Sequence, residues 1–172
     1  MSAAARRPDQ GIHRDTRRQA RLAGVQALYQ VELGHATPDS VVMEFVEHRL
    51  DEEIDGLVIG KIDRTLFGEL VKGVNGRRTD LTDMVAGALS TGWHVDRLET
   101  LLRIILLCGA YELSDRPAIP ARAVIHEYVE LAKAFFDDRE PNLVNGVLDR
   151  LAHLLRPEEL GANPAAPGDD GA

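Results

Sequence analysis

Leu101-Leu102-Arg103-Ile104-Ile105-Leu106-Leu107-Cys108-Gly109-Ala110-Tyr111-Glu112-Leu113 is the longest apolar stretch of the chain. Wound as a helix from about Val95 to Leu113, it is apolar on nearly every side. A helix of that kind belongs at the centre of a core rather than on its surface. Arg103 and Glu112 interrupt it, and it falls short of the ~20 residues a membrane span needs. Glu112 is a charge at core depth, and such a charge needs a partner. The structural reading of Glu112 is therefore a buried carboxylate, either paired with an arginine or capping the turn before Pro117. The functional alternative is a contact to another molecule.

The segments on either side repeat the helical spacing. Arg116-Pro117-Ala118-Ile119-Pro120 is an extended connector, because residues before proline avoid helical angles. Pro120 opens a sixth helix carrying Val124, Ile125, Val129, Leu131, Ala132 and Phe135. A polar loop, Asp137 to Pro141, leads to a last helix with Val144, Val147, Leu148 and Leu151, which Pro157 ends. Upstream, a first helix runs from about Thr16 to Leu33, with Ala20, Ala23, Ala27, Leu28 and Val31 on one face. Gly34 stops it, and Gly24 within it implies a close helix–helix approach. Thr37 caps a second helix, with Pro38 at its first position. A third covers about Asp63 to Val74, and Asn75-Gly76 breaks or bends it. Thr79 caps a fourth. No segment reads as a convincing strand. The expected fold is all-α, an orthogonal bundle of about seven helices.

The organisation is one helical domain over residues 13–157. A disordered basic arm (1–12) precedes it and a disordered acidic tail (158–172) follows. The 172 residues carry a net charge of −8, distributed unevenly. Residues 1–21 hold six arginines against two aspartates, whereas the tail from Glu158 holds four acids and no base. A basic end on an acidic body suggests a polyanion partner. No apolar leader follows the basic start, so the expected address is the cytoplasm.

Signs of catalysis are missing. There is no Gly-rich phosphate loop and no nucleophile elbow. The six histidines show no zinc-ligand spacing, so no metal or cofactor is expected. His126 and Glu130 read as an exposed pair one helical turn apart. The one cysteine, Cys108, reads as a small core hydrophobe.

The positive signal is an arginine stripe. Arg14, Arg17, Arg18 and Arg21 recur at three- and four-residue steps and share a face of the first helix. Arginine forks match phosphate oxygens and stack on bases. Gln26 and Tyr29 lie farther along the same helix, and a tyrosine beside arginines can stack on an unpaired base. The pattern points to single-stranded RNA.

Three blocks carry a resemblance that sharpens this. The first is Arg17-Arg18-Gln19-Ala20-Arg21 followed by Val25-Gln26-Ala27-Leu28-Tyr29-Gln30. The second is Gly109-Ala110-Tyr111-Glu112-Leu113, then Ile119-Pro120, then Val124 to Lys133. The third is Leu143-Val144-Asn145-Gly146-Val147-Leu148-Asp149. In this order and spacing, over about residues 14–157, the chain resembles the bacterial transcription antitermination NusB family. The resemblance implies two small helical subdomains and no catalysis. It implies binding to the boxA element of ribosomal RNA transcripts, in a heterodimer with NusE, a small-subunit ribosomal protein. That pair acts with other Nus factors and RNA polymerase to suppress Rho-dependent termination. Carried over by position, the RNA-facing set is Arg17, Arg18, Arg21 and Tyr29, with Phe135, Arg139, Asn142 and Leu143 at its edge. The NusE surface would involve the central and sixth helices, with Tyr111, Glu112 and Glu127 as candidates.

Within the third block, Asn145 is expected to bond backbone and Gly146 to allow close packing. Leu143 stands where the family often has phenylalanine, which weakens an aromatic contact there. Alternative readings are an RNA-binding module with another RNA target, a protein–protein adaptor whose basic arm docks an acidic protein, and a homodimer covering the arginine face. A related helical module precedes the catalytic domain of certain ribosomal RNA methyltransferases, but so few residues follow the last helix that no such domain is expected here.

Overall fold

The computed structural model describes residues 8–34, 36–49, 53–54, 57–58 and 62–160, with side chains for 15–34, 36–47 and 62–160. The first helix, α1 (Pro8–Glu32), starts several residues before the sequence reading placed it. Proline is tolerated in a first helical turn, where its missing N–H has no partner to lose. Residues 8–12 of the expected arm are thus helical, and residues 1–7 lie outside the described residues. Gly24 sits where α1 meets α3 (Arg64–Gly76), and a Cβ there would stand 3.3 Å from Leu70. The close approach inferred from this glycine is what the structure has.

α2 (Pro38–Glu44) is capped as expected. The Thr37 hydroxyl accepts from the Ser40 backbone N–H, and the Thr37 N–H donates to the Ser40 hydroxyl. A turn of π-helix, Phe45–Arg49, extends it. Then comes a departure from the all-helical expectation. β1 (Glu53–Ile54) and β2 (Leu57–Val58) pair antiparallel, Glu53 opposite Val58. The intervening sequence is Asp55-Gly56, a dipeptide that favours hairpins.

Asp63 caps α3 by accepting from the Leu66 N–H. α4 (Arg78–Ala88) follows after one residue, and its cap is Arg77 rather than Thr79, which lies inside the first turn. The expected fifth helix is divided. A 3-10 turn covers Val95–Arg97, Leu98 is extended, and Glu99 caps α5 (Thr100–Asp115) by accepting from the Leu102 N–H. α6 (Ala121–Phe135) and α7 (Arg139–Leu155) complete the bundle. The loop between them is shorter than expected, with Pro141 already in the first turn of α7. A single turn, α8 (Pro157–Leu160), occupies the start of the expected tail; residues 161–172 lie outside the described residues.

α5 is the hub. Every residue from Ile104 to Leu113 is buried, and the helix packs against α1, α3, α4, α6 and α7. On one side of it lie α1–α3, on the other α4, α6 and α7. Gly109 lets α7 approach, because a Cβ there would stand 2.7 Å from Leu148, itself fully buried. Gly109→Ala overpacks this contact at about 1–3 kcal/mol, against roughly 1 kcal/mol gained in helix propensity. A lower Tm is expected; a higher one would mean that Leu148 has room to move. Among the described residues no helix is long and apolar enough to cross a membrane.

Candidate nucleic-acid interface

Helical spacing does place the arginines of α1 on one side, but that side does not all face solvent. Arg17 is exposed, with no ion pair among the described residues. Arg18 is 49% exposed, yet its guanidinium grips Glu127 of α6 with both Nε and Nη2, at 2.9 and 3.1 Å. Arg21 is 3% exposed. Its Nε and Nη2 each donate to Glu112 of α5 at 2.8 Å. The side chain of Arg14 lies outside the described side chains.

Arg21 is therefore a correction to the expected RNA-facing set. Its neighbours one and two turns on, Gly24, Val25 and Leu28, are all buried, so its own position faces the core. The same pairing corrects the partner-binding set. Glu112 is fully buried, and besides Arg21 it accepts from the hydroxyl of Tyr128. The arginine-paired, structural reading of Glu112 is the one that holds. Glu127 is 6% exposed and held by Arg18. Tyr111 lies against Gly73, where any Cβ would collide with its ring.

The electrostatics of these pairs favour the charged forms. Burial penalises the Arg21 charge, but the hydrogen bonds and charge of Glu112 more than compensate, and its pKa is raised. Burial pushes Glu127 up, yet the Arg18 hydrogen bond and charge outweigh it and leave the carboxyl below its usual range. Burial, reinforced by the Glu112 charge, pushes the Tyr128 hydroxyl well up, so it stays a donor. Cys108 is fully buried and burial pushes its thiol up, away from reactive thiolate.

The rest of the expected set divides in two. Gln26 is exposed and Tyr29 half-buried against the core, both on α1. Phe135 is 43% exposed at the end of α6. Next to it in sequence, Ala134 lines a groove shared with Arg18, Gln19 and Leu22 of α1, so α1 and the end of α6 form one surface. Arg139, Asn142 and Leu143 line a second groove of about 280 Å³. Its other wall is Ser90 and Trp93, from the connector before α5. The Arg139 guanidinium lies 4.5 Å over the Trp93 ring.

Sequence reasoning passed over Trp93. The signal available was a single tryptophan in a short Gly92-Trp93-His94 connector, where an aromatic has less reason to be core than inside a helix. Two local expectations also change. Gly146 allows no close packing, since nothing lies within 4 Å of a Cβ built there, and Asn145 is exposed with no side-chain hydrogen bond among the described residues. His126 and Glu130 do not pair with each other; Glu130 accepts from Lys133 at 2.9 Å. No group of three metal-ligating side chains occurs among the described residues.

Residues 18–153, most of the helical bundle, match the model of the NusB family. The chain belongs to the NusB family. The transcription antitermination protein NusB of Rhizobium leguminosarum bv. trifolii is 45% identical over 139 residues, 81% of this chain and 87% of that protein. The transcription antitermination protein NusB of Caulobacter vibrioides is 43% identical over 80% of this chain and 92% of its own length. Among solved structures, T. maritima NusB superposes with a TM-score of 0.68, covering 83% of this chain and 95% of that one at 24% identity. That likeness confirms the NusB fold: α-helices stacked about a buried central helix. The family match begins at Arg18 and ends at His153, so it takes in both the Arg18–Glu127 pair and the Trp93–Arg139 stack.

Proposed function

We propose that this chain is a transcription antitermination factor that binds boxA RNA of ribosomal RNA transcripts together with NusE and suppresses Rho-dependent termination. The observation that carries the reading is membership of the NusB family, with relatives at 43–45% identity that are named transcription antitermination proteins. The RNA face is built from Arg17, Arg18, Gln26 and Tyr29 of α1, with Arg14 extending it, and from Phe135, Arg139, Asn142 and Leu143. Arg17 supplies charge to the phosphates and steers association. Arg18 presents the outer edge of a guanidinium already oriented by Glu127, so its charge is partly spent inside the fold. Arg21 is a positioning residue, which locks the register of α1 through Glu112. The chain's role is recognition; RNA polymerase and other Nus factors are engaged through the assembly.

Arg17→Ala weakens binding to every RNA sequence and lowers the slope of log K against log salt by about one. Arg18→Ala changes the slope less, because its charge is already half neutralised. Tyr29→Ala costs about 1–3 kcal/mol of RNA affinity if its ring stacks on a base. Titrations at three salt concentrations separate these effects; an unchanged slope for Arg17→Ala would remove it from the RNA face.

The function itself is tested by in vitro transcription through a Rho-dependent terminator placed downstream of boxA. Added with NusE and the other Nus factors, the protein is expected to raise readthrough, and scrambling boxA is expected to abolish the gain. Readthrough that is the same with and without the protein would overturn the proposal.

A further inference from the structure

We propose that the groove between Trp93 and the first turns of α7 is a stacking subsite for one unpaired nucleotide of single-stranded RNA. The inference rests on the RNA-binding reading above and adds to it a residue, Trp93, and a defined chemistry.

Seven of the thirteen arginines whose side chains are described contact a carboxylate, Arg18, Arg21, Arg77, Arg103 and Arg116 among them. Acids outnumber Lys and Arg by 28 to 20, so such pairing is expected from composition. Arg139 is one of six that do not, and what sets it apart is its aromatic partner. It is exposed, and among the described residues no carboxylate pairs with it. Its partner is an indole ring, at 4.5 Å. Trp93 is half-buried and packed against the core, so it is a fixed platform for the guanidinium. With its carbon over the indole and its side chain exposed, the Arg139 guanidinium keeps a side open to solvent. Such a side stacks on a nucleobase, while the edge N–H groups reach phosphate oxygens.

The groove around this stack has matching chemistry. No carboxylate lines it. Arg150, farther along α7, also lines it and is oriented by a 2.6 Å hydrogen bond from its Nη1 to the Ala88 carbonyl. Asn142, one turn along α7 from Arg139, is exposed and offers both an amide donor and an acceptor to a base edge. Leu143 supplies an apolar patch, and Gly146 leaves the space above α7 open. Two cations, a stacking platform and an amide are the set that binds an unpaired nucleotide. An acidic peptide would use the cations and leave the stack without a role.

Trp93 is the chain's single tryptophan, so its fluorescence reports on this groove alone. The experiment titrates the full-length protein with a 12-nucleotide single-stranded boxA RNA, with the same RNA made abasic at each position in turn, and with polyglutamate. Gly146→Leu projects a side chain into the groove from a position where a Cβ has nothing within 4 Å, so the fold is retained and helix propensity improves. Arg139→Gln removes the stacked cation. Wild-type emission is expected to be quenched by RNA. Both variants are expected to bind about fivefold or more weakly and to lose the quenching, with the Tm of Gly146→Leu unchanged or higher. One abasic position should cost the wild type as much as the variants lose, and cost the variants nothing further. RNA binding by the wild type with both variants within about twofold of it would overturn the subsite and leave the RNA-binding reading intact. Equal quenching by polyglutamate would reassign the groove to an acidic protein. No RNA binding by the wild type would overturn both.

Discussion

Glu112→Ala lowers the stability of the fold by about 3–5 kcal/mol, the range seen when one partner of a buried ion pair is removed. The variant leaves Arg21 charged at 3% exposure with nothing to accept its two hydrogen bonds, and it leaves the Tyr128 hydroxyl without its acceptor. Three helices lose their common polar contact at once, since Arg21 is on α1, Glu112 on α5 and Tyr128 on α6. Urea unfolding followed by circular dichroism measures the loss. Replacing both charges by apolar residues, Arg21→Met with Glu112→Leu, is expected to recover most of it, because the cost lies in the orphaned charge more than in the missing attraction. A loss below about 1 kcal/mol for Glu112→Ala would match a solvent-exposed pair instead. RNA affinity of the Arg21→Met, Glu112→Leu protein should stay close to that of the parent, since Arg21 acts on RNA through the register of α1.

Arg156→Ala is expected to be nearly as damaging. Arg156 is 4% exposed and sits beyond the end of α7. Its guanidinium donates to the carbonyls of Glu112, Leu113 and Arg116 at 2.8–2.9 Å, and also to the Ile119 carbonyl. The Leu113 carbonyl is one that a helix leaves without a partner at its C-terminus, here the end of α5, whereas those of Glu112 and Arg116 also accept from the backbone N–H groups of Arg116 and Ile119. A cation at that end also complements the helix dipole. The substitution strands the carbonyls of Leu113 and Ile119, and each stranded acceptor costs about 1–3 kcal/mol, so a total of about 2–6 kcal/mol is expected. Arg156→Lys should restore little of it, because one ammonium cannot span four carbonyls set out for a planar fork. Urea unfolding measures the size. Faster hydrogen exchange confined to the last turn of α5 and to the connector before α6 would locate it, and uniform protection would refute the capping role.

How much of this could be read from residues alone varies with the kind of signal. The central helix was legible because Ile104 to Leu113 has no polar face to put in water. Capping by Thr37 and the close approach at Gly24 were legible because each follows from a local rule about one residue type. The register of Arg21 was harder. Three- and four-residue spacing groups it with Arg18 and Arg17, while its neighbours Gly24, Val25 and Leu28 place it on the buried stripe. Charge is the louder signal and it misleads, although a buried Glu112 in need of an arginine stated the other half of the answer. Long-range capping by Arg156 left no local trace, since its partners are about 40 residues away in sequence. Trp93 was invisible for the same reason: its significance lies in Arg139, 46 positions later, and the stack forms only when the connector before α5 and the start of α7 are brought together.

The central claim, that this helical protein recognises boxA RNA jointly with NusE, is tested most directly by fluorescence anisotropy. A labelled boxA RNA and a scrambled control are each titrated with the protein, alone and with NusE present. The account predicts tighter binding to boxA than to the control, and a further gain with NusE that the control does not share. Equal, weak binding to both RNAs, unchanged by NusE, would contradict it and leave a helical protein with a basic first helix and no RNA of its own.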